Sequence, residues 1–205
     1  MRSSLILTLT SFSASIAAAA SIQCSATNQT TACLCAPNQA KTTYPNKCQI
    51  SEVFGYLADG NFTAFLSKVS PTVNWTIMGT HPLAGTYTNR TIFAIDALQR
   101  LSNTLQSTAG TTPLTLTQII GGGDEEWSVQ ELHGLGTCKN GLKYDNRFAW
   151  ITRWSTEGII LQVRAYLDSA LVHRAITENE SKEYLYSDQR DVLQAGPSGI
   201  GCTSN

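Results

Sequence analysis

The first half of the chain carries apolar residues at helical spacing in three segments. In residues 50–57 and again in residues 62–69, apolar side chains recur at positions i, i+3, i+4 and i+7, the pattern of a helix with one buried face. The Asp59-Gly60 pair separates these two segments, and Pro71 follows the second. Residues 91–105 carry a similar stripe. The pattern therefore predicts three helices in this half of the chain.

The second half of the chain alternates between apolar and polar residues, as β-strands do. A short alternating segment, residues 73–78, already comes between the second and third helices and puts Trp75 on its apolar face. Short, turn-like connections typical of antiparallel neighbours separate four further strands, at residues 114–120, 127–134, 144–154 and 159–167. Helices followed by an antiparallel sheet predict an α+β domain.

The N-terminal residues have the three parts of a cleaved secretory signal. Arg2 gives a positive start, residues 5–18 are apolar, and Ala18-Ala19-Ala20 supplies the small residues that signal peptidase requires. The apolar stretch is too short to cross a bilayer, where about 20 residues are needed. We therefore predict a signal peptide at residues 1–20 and a secreted, extracellular protein. The alternative is that residues 5–20 form a buried core helix.

The rest of the chain divides into three parts by composition. Residues 21–47 form a cysteine-rich N-terminal extension, residues 48–174 carry the patterns of one domain, and residues 175–205 form a weakly patterned tail. The formal net charge is −1 and only 14% of the residues are charged, without a basic run. We therefore predict no nucleic-acid partner and no membrane partner. No segment after the signal is apolar enough to span a bilayer.

Six cysteines form an even set, as expected of a secreted protein whose disulfides persist. We predict three disulfide bonds with the pairing left open, and expect Cys202 to tie the tail to the domain. Metal binding is the alternative for the Cys33-Leu34-Cys35 segment, but no histidine lies nearby and thiolates oxidise in that compartment, so no metal site is predicted. The six are Cys24, Cys33, Cys35, Cys48, Cys138 and Cys202.

Five Asn-x-Ser/Thr sequons predict surface asparagines that accept glycans. They begin at Asn28, Asn61, Asn74, Asn89 and Asn179. In so threonine-rich a chain some sequons arise by chance. A glycan on Asn74 would place that strand face outside and turn Trp75 toward the core.

The order of several short motifs resembles that of SnoaL-like and ketosteroid-isomerase-like proteins. The matching segments are Trp75-Thr-Ile-Met-Gly-Thr-His-Pro-Leu-Ala-Gly85-Thr-Tyr87 before a helix, Gly123-Asp124 before Trp127, Asn140-Gly141 with Tyr144-Asp145-Asn146, and Gly158-Ile-Ile leading to Arg164-Ala-Tyr-Leu-Asp168. The resemblance implies the cone-shaped fold of nuclear transport factor 2, in which a curved antiparallel sheet packs on N-terminal helices and encloses one apolar pocket. It also implies a possible homodimer.

One pair of ionisable residues is the strongest candidate for chemistry. In the strand 127–134, alternation puts Glu131 and His133 on the same face as the large apolar residues Trp127 and Val129. If that face is buried, both side chains point toward the pocket, where a carboxylate beside an imidazole raises the histidine pKa and suits proton transfer. We predict His133 as the acid/base and Glu131 as its orienting partner. The alternative is a strand-end pair that is solvated or satisfied by its neighbours.

Five further residues are candidates for ligand contacts. His81 could reach the pocket mouth as a second acid or base, although a loop histidine beside a proline is more often structural. Asn146 shares a strand face with Trp150 and could orient a ligand carbonyl or form an ordinary cross-strand hydrogen bond. Trp75 and Trp150 are expected in the core, in part as pocket lining. The resemblance implies a pocket role for Tyr56, but this residue lies off the helix's apolar stripe, so the rim or the surface is the alternative.

The resemblance leaves two functions open because its carboxylates are incomplete. By this resemblance, the base of ketosteroid isomerase would fall near Thr76, and the second aspartate of limonene epoxide hydrolase, another member of the superfamily, at Ala165. Strand alternation places Asp168 opposite the apolar face, unless a bulge reverses it. The first hypothesis is an isomerase, cyclase or dehydratase that acts on a small apolar metabolite without metal or other cofactor. Gly121-Gly122-Gly123 is interpreted as a turn rather than a nucleotide site. The second is a non-catalytic secreted protein that binds a small ligand or a partner protein in the same cone.

Overall fold

The structure, a computed structural model, describes residues 41–106, 114–180 and 186–190 and begins with two helices. α1 (Lys47–Ala58) starts at a capping box, in which the Asn46 side chain accepts hydrogen bonds from the backbone N–H groups of Cys48 and Gln49. α2 (Phe62–Ser67) starts at Asn61, which caps it in the same way through the N–H of Ala64. Both helices follow the predicted apolar stripes, except that α2 ends at Ser67 and Val69, predicted within it, begins the first strand. The predicted signal peptide lies outside the described residues.

A single six-stranded sheet packs against the helices. Its strands are β1 (Val69–Ile77), β2 (Gly85–Tyr87), β3 (Leu114–Gly121), β4 (Trp127–Thr137), β5 (Lys143–Trp154) and β6 (Ile160–Tyr166). They are arranged in the order β2-β1-β6-β5-β4-β3, and the pairs from β3 to β6 are antiparallel, as the short connections predicted. β1 and β6 pair in parallel, however, so the expectation of an antiparallel sheet is wrong at this pair. No hairpin joins these two strands, which are distant in the chain.

The predicted third helix is a continuous run of three segments. α3 (Arg90–Phe93) begins at Asn89, whose Oδ1 accepts hydrogen bonds from two backbone N–H groups. A π-helical segment (Ala94–Gln99) follows, and α4 (Arg100–Thr104) completes the run. A π-helical segment is wider than an α-helix and often marks a functional site. Here it borders the cavity described below, to which Ala97 contributes.

A further helix, α5 (Ser169–Asn179), was not predicted from the sequence. Its N-cap is Asp168, whose carboxylate accepts a hydrogen bond from the backbone N–H of Leu171. The side chain whose orientation the sequence left open therefore caps a helix. Residue 174, the predicted end of the domain, lies within α5. Of the helices in the described part of the chain, none is long and apolar enough to cross a membrane.

Aromatic side chains from the helices and the sheet meet in the core. The ring of Trp75 stacks on Phe93, with centroids 3.9 Å apart, and stands perpendicular to Trp150 at 5.0 Å. Trp75 is fully buried while its neighbour Asn74 is exposed, so the predicted inward direction of Trp75 is confirmed. α1 closes this core from one side through buried Ile50 and other apolar residues of its stripe.

Two of the six cysteines lie in the described part of the chain. Cys48 is disulfide-bonded. Cys138 is a buried free thiol, so its predicted participation in a disulfide is wrong in this structure. It packs in a second apolar cluster with Leu105, Tyr144 and Ile176, and burial raises the pKa of its thiol. Cys24, Cys33, Cys35 and Cys202 lie outside the described residues, and their disulfides stay predictions.

Four of the five sequon asparagines are described. Asn61, Asn74 and Asn89 are exposed, as a glycan acceptor must be. Asn179 is half-buried, and both atoms of its side-chain amide are engaged: Nδ2 donates to the carbonyl of Ala175 and Oδ1 accepts from the N–H of Asn140. Asn28 lies outside the described residues. Glycosylation itself stays a prediction at all five positions.

Candidate functional site

An apolar cavity lies between the inner face of the sheet and the helical run from α3 to α4. Its volume is about 70 Å³. The lining is mostly leucine, phenylalanine, tryptophan and alanine, and among the described residues that line it there is no aspartate, glutamate, lysine or arginine. Such a cavity favours apolar molecules, because an apolar void that water does not fill gains contacts when an apolar ligand enters.

Three of the five predicted ligand-contact residues line this cavity: Trp75, His81 and Trp150. Asn146 is fully buried directly behind the lining, where it contacts Tyr144. Tyr56 does not reach the cavity, so its predicted place in the pocket is wrong. It is half-buried and instead borders a separate polar depression of about 230 Å³ between α1 and the β5–β6 turn. This partly exposed position away from the cavity fits the surface alternative that its offset from the apolar stripe allowed.

The predicted orientation of Glu131 and His133 toward the pocket is wrong. On β4 the residues that are buried are Ser128, Gln130, Leu132 and Gly134, while Glu131 is exposed and His133 is half-buried on the opposite, outer face. There the Nε2 atom of His133 lies 2.9 Å from Oδ1 of Asp145, across the β4–β5 pair. The strand alternates as predicted, but the residues predicted to point inward lie on the outer face.

Buried hydrogen bonds explain why the polar face of β4 is the inner one. The hydroxyl of Ser128 accepts hydrogen bonds from Nε2 of Gln130 at 2.6 Å and from Nε1 of Trp154 at 2.7 Å. Thr152 donates to Oε1 of Gln130 at 2.6 Å. These partners remove most of the cost of burying polar groups. The network joins β4 to β5 and could not be inferred from β4 alone.

The apolar residues of β4 that suggested burial lie on the outer face. Trp127 is half-buried there, its Nε1–H donates to Glu126, and the guanidinium of Arg164 lies 4.8 Å from its ring centroid. A cation over an indole ring stabilises an aromatic side chain that remains partly exposed. A large apolar residue therefore did not mark the core side of this strand.

His81 is fully buried and held by the backbone at both ring nitrogens. Its Nε2–H donates to the carbonyl of Met78 at 3.2 Å, and its Nδ1 accepts from the N–H of Leu83 at 3.2 Å. Burial lowers the pKa of His81 to about 4. The ring is therefore neutral at physiological pH and has no free nitrogen with which to move a proton. This favours the alternative that His81 stabilises its loop and does not take part in chemistry.

A relay of hydrogen bonds fixes the one phenol in the cavity lining. The backbone N–H of Asp168 donates to Oδ1 of Asn146, and Nδ2 of Asn146 donates to the hydroxyl oxygen of Tyr144, both at 3.0 Å. Tyr144 is 2% exposed, and burial raises its pKa, so the phenol stays protonated. Tyr144 was not among the predicted site residues, although it lies on the same face of β5 as Asn146 and Trp150.

The described residues show no site for a metal ion. No three histidine, cysteine, aspartate or glutamate side chains come together within residues 41–106, 114–180 and 186–190. The cavity instead offers uncharged groups: the Tyr144 phenol, the indole of Trp150 and the hydroxyl of Ser102. This arrangement can bind, orient and hydrogen-bond a largely apolar molecule. Among the described lining residues, none offers a free side-chain base.

Two curated proteins are similar to this chain in sequence. Dimerizing cyclase phiC from Fungal sp. (strain ATCC 74256) is 34% identical over 137 residues, which are 67% of this chain and 59% of that protein. Dimerizing cyclase tstC from Talaromyces stipitatus is 34% identical over 117 residues, which are 57% of this chain and 51% of that protein. The chain thus spans little more than half the length of these relatives. No family profile matches it.

Solved structures are similar in fold. A nuclear-transport-factor-2-like protein from Burkholderia thailandensis superposes with a TM-score of 0.52 and 20% identity, over 62% of this chain and 94% of that one. TerC, co-crystallized with polyporic acid, gives a TM-score of 0.51 and 19% identity, over 63% of this chain and 95% of that one. The chain therefore has the nuclear-transport-factor-2-like fold that its motifs implied, and it is a sequence relative of two fungal dimerizing cyclases.

Proposed function

We propose that the protein is a cyclase that closes a ring in a small, mostly apolar compound held in the cavity. The observation that carries the proposal is the apolar cavity at the inner face of the sheet, in a chain similar to two proteins named dimerizing cyclases. By analogy with that name, the product would be built from two substrate molecules.

The cavity supports catalysis by positioning rather than by a charged acid–base pair. Its described lining has no carboxylate, and His81 is neutral with both nitrogens engaged. Holding two reacting groups in contact can by itself supply a large part of a rate enhancement, because the entropy of bringing them together is lost on binding. Hydrogen-bond donors fixed in a dry site stabilise negative charge that develops during bond formation.

The second candidate is a non-catalytic protein that binds a small apolar ligand. The observation that favours it is the engagement of His81, which leaves the described cavity lining without a free side-chain base. This candidate and the cyclase predict the same ligand class. They differ in whether the bound compound is converted.

Export from the cytosol and a homodimer are also part of the proposal. Export is supported by the signal-like pattern of residues 1–20. A homodimer is supported by the outer face of the sheet, where Ile120 and Leu135 are each 52% exposed and Tyr166 is 45% exposed. The relatives' name fits a protein dimer as well as a product made of two units. Sedimentation of the secreted protein at a mass of two chains would support the dimer, and a monomer at high concentration would contradict it.

The function is tested by capturing the ligand and following its conversion. Purified protein is incubated with a metabolite extract of the source organism, recovered and denatured, and the released compounds are identified by mass spectrometry. Each captured compound is then incubated with fresh protein. A new cyclic product with the mass of two substrate units supports the cyclase. Capture without conversion supports the binding protein and rejects the cyclase.

A matched pair of variants shows whether capture uses the cavity. Ala97 lines the cavity and is 3% exposed, whereas Ala170 is exposed on α5. Ala97→Leu fills part of the cavity and should abolish capture, while Ala170→Leu makes the same chemical change at the surface and should leave capture intact. If Ala97→Leu captures the compound as well as the wild type does, the ligand binds elsewhere and the proposal fails.

A further inference from the structure

Two hydrogen-bond donors in the cavity lining have no acceptor in the described protein. Nε1 of Trp150 is buried without a hydrogen-bond partner, and the residue is only 4% exposed. The Tyr144 hydroxyl accepts from Asn146, but no described residue accepts the hydroxyl hydrogen. A buried donor without an acceptor costs free energy, so two of them in one cavity indicate a partner that is not part of the protein.

The direction of the Tyr144 hydroxyl follows from its neighbours. The backbone N–H of Asp168 can only donate, so the Asn146 atom that it contacts must be the carbonyl oxygen Oδ1. The other atom of that amide is then the NH₂ group, which can only donate to the Tyr144 oxygen. The hydroxyl hydrogen of Tyr144 therefore remains available for another acceptor. The asparagine thus fixes Tyr144 as a hydrogen-bond donor.

We propose that Trp150 Nε1–H and Tyr144 O–H each form a subsite for an uncharged oxygen of the ligand. The two residues lie six positions apart on β5, so a single oxygen need not contact both. The ligand is then an apolar molecule that carries an uncharged oxygen acceptor, as in a ketone or an ester. Charge separates this class from carboxylates, because the described lining offers no lysine or arginine to pair with an anion. The inference rests on the proposed use of the cavity for small ligands but not on any conversion of them.

The aromatic rings around Trp150 are the competing partner for its N–H. The Trp75 ring stands perpendicular to Trp150 at 5.0 Å, and Phe54 and Phe148 lie edge-on at 5.9 and 6.4 Å. A contact between an N–H group and a ring is weaker than a hydrogen bond to oxygen. A ligand oxygen should therefore displace such a contact, whereas a ligand without an oxygen should not.

The test compares two probes that differ in a single group. Cyclopentanone presents a carbonyl oxygen, and methylenecyclopentane replaces that oxygen with CH₂ in nearly the same shape. Each is titrated into ¹⁵N-labelled protein while the indole N–H signals are followed, with Trp150 identified by the loss of its signal in Trp150→Phe. We expect cyclopentanone to move the Trp150 proton downfield and to bind about three- to tenfold more tightly than the hydrocarbon, as one neutral hydrogen bond predicts.

Two of the other indoles and a second tyrosine provide controls within the same protein. Nε1 of Trp154 already donates to Ser128, and Nε1 of Trp127 donates to Glu126, so neither signal should move. Tyr144→Phe removes one of the two subsites. It should lower the preference for the ketone over the hydrocarbon, leave hydrocarbon affinity unchanged and retain the shift of the Trp150 signal. Tyr87→Phe is the matched control, because the Tyr87 hydroxyl is satisfied by the carbonyl of Leu83.

Three results would overturn the Trp150 subsite. They are equal affinity for the two probes, binding of the ketone without movement of the Trp150 signal, and failure of both probes to bind. The outcome is independent of catalysis. Ketone selectivity in a protein that converts no captured compound would retain the subsite and reject the cyclase. Conversion of a captured compound by a protein without ketone selectivity would support the cyclase and reject the subsite.

Discussion

His133 and Asp145 face each other across β4 and β5 on the outer face of the sheet, with Nε2 and Oδ1 2.9 Å apart. Nη1 of Arg147 contacts the same carboxylate oxygen at 2.7 Å. The hydrogen bond from His133, together with the charge of Arg147, holds the pKa of Asp145 below its usual range. His133 is thus paired with Asp145 and not with Glu131, the partner predicted from the sequence. The pair lies outside the cavity.

Removal of the predicted acid–base pair should therefore leave ligand handling intact. We expect His133→Ala and Glu131→Gln to capture and convert the same compounds as the wild type, because neither residue lines the cavity. The measurement is the amount of captured compound and of product per mole of protein. Ala97→Leu serves as the variant that must fail in the same assay. Loss of conversion in His133→Ala with ligand capture retained would return the chemistry to the outer face.

Periodicity predicted the elements better than it predicted their faces. On β5 the buried face was inferred correctly because aromatic residues fill it, including Phe148 and Trp150. On β4 the inner face carries Ser128 and Gln130, whose burial depends on partners from β5 that are distant in sequence. If the inward positions of a strand are assigned one residue out of step, every side chain on that strand is assigned to the wrong face of the sheet. The candidate site therefore moved from one face of β4 to the opposite one.

The unpredicted helix α5 has a different physical cause. Its buried residues are only Val172, Ala175 and Ile176, so its apolar stripe is short. The start signal was present, since Asp168 is a favourable N-cap residue. Strand alternation instead predicts this aspartate at the end of a strand, opposite the apolar face. The distinction required the hydrogen bond to Leu171, which is a property of the folded backbone.

The buried state of His81 predicts a pH-dependent stability. Its pKa is about 4 in the folded protein and 6.5 when exposed, so the unfolded chain takes up a proton between these values while the native protein does not. Stability from this residue is therefore complete above pH 6.5 and is lost as the pH falls toward 4. A gap of this size corresponds to roughly 3 kcal/mol.

The measurement is urea unfolding at several pH values between 4 and 7.5, compared between the wild type and His81→Asn. Asparagine does not titrate in this range and retains an oxygen that can accept from the N–H of Leu83. We expect the difference in unfolding free energy between the two proteins to change with pH in this window. His133→Ala is the control and should not remove the slope. A pH-independent difference for His81→Asn would contradict the buried neutral state.

The network beneath β4 predicts a large effect from a small substitution. Ser128→Ala removes the acceptor of both Trp154 Nε1–H and Gln130 Nε2–H and leaves two buried donors without a partner. We expect a loss of about 2 kcal/mol or more in unfolding free energy. Ser67→Ala is the matched control, because Ser67 is exposed and its hydroxyl only contacts the carbonyl of Ala64. Equal effects of the two variants, measured by urea unfolding, would show that the network is not formed.

The free thiol of Cys138 predicts a distinct pattern of alkylation. The side chain is fully buried and burial raises its pKa, so the thiolate that reacts with iodoacetamide is scarce in the native protein. We expect little labelling of Cys138 under native conditions and complete labelling after denaturation without any reducing agent. Peptide mass spectrometry locates the label, and Cys138→Ala confirms the assignment. If Cys138 is labelled only after reduction, it forms a disulfide, as the even set of six cysteines predicted.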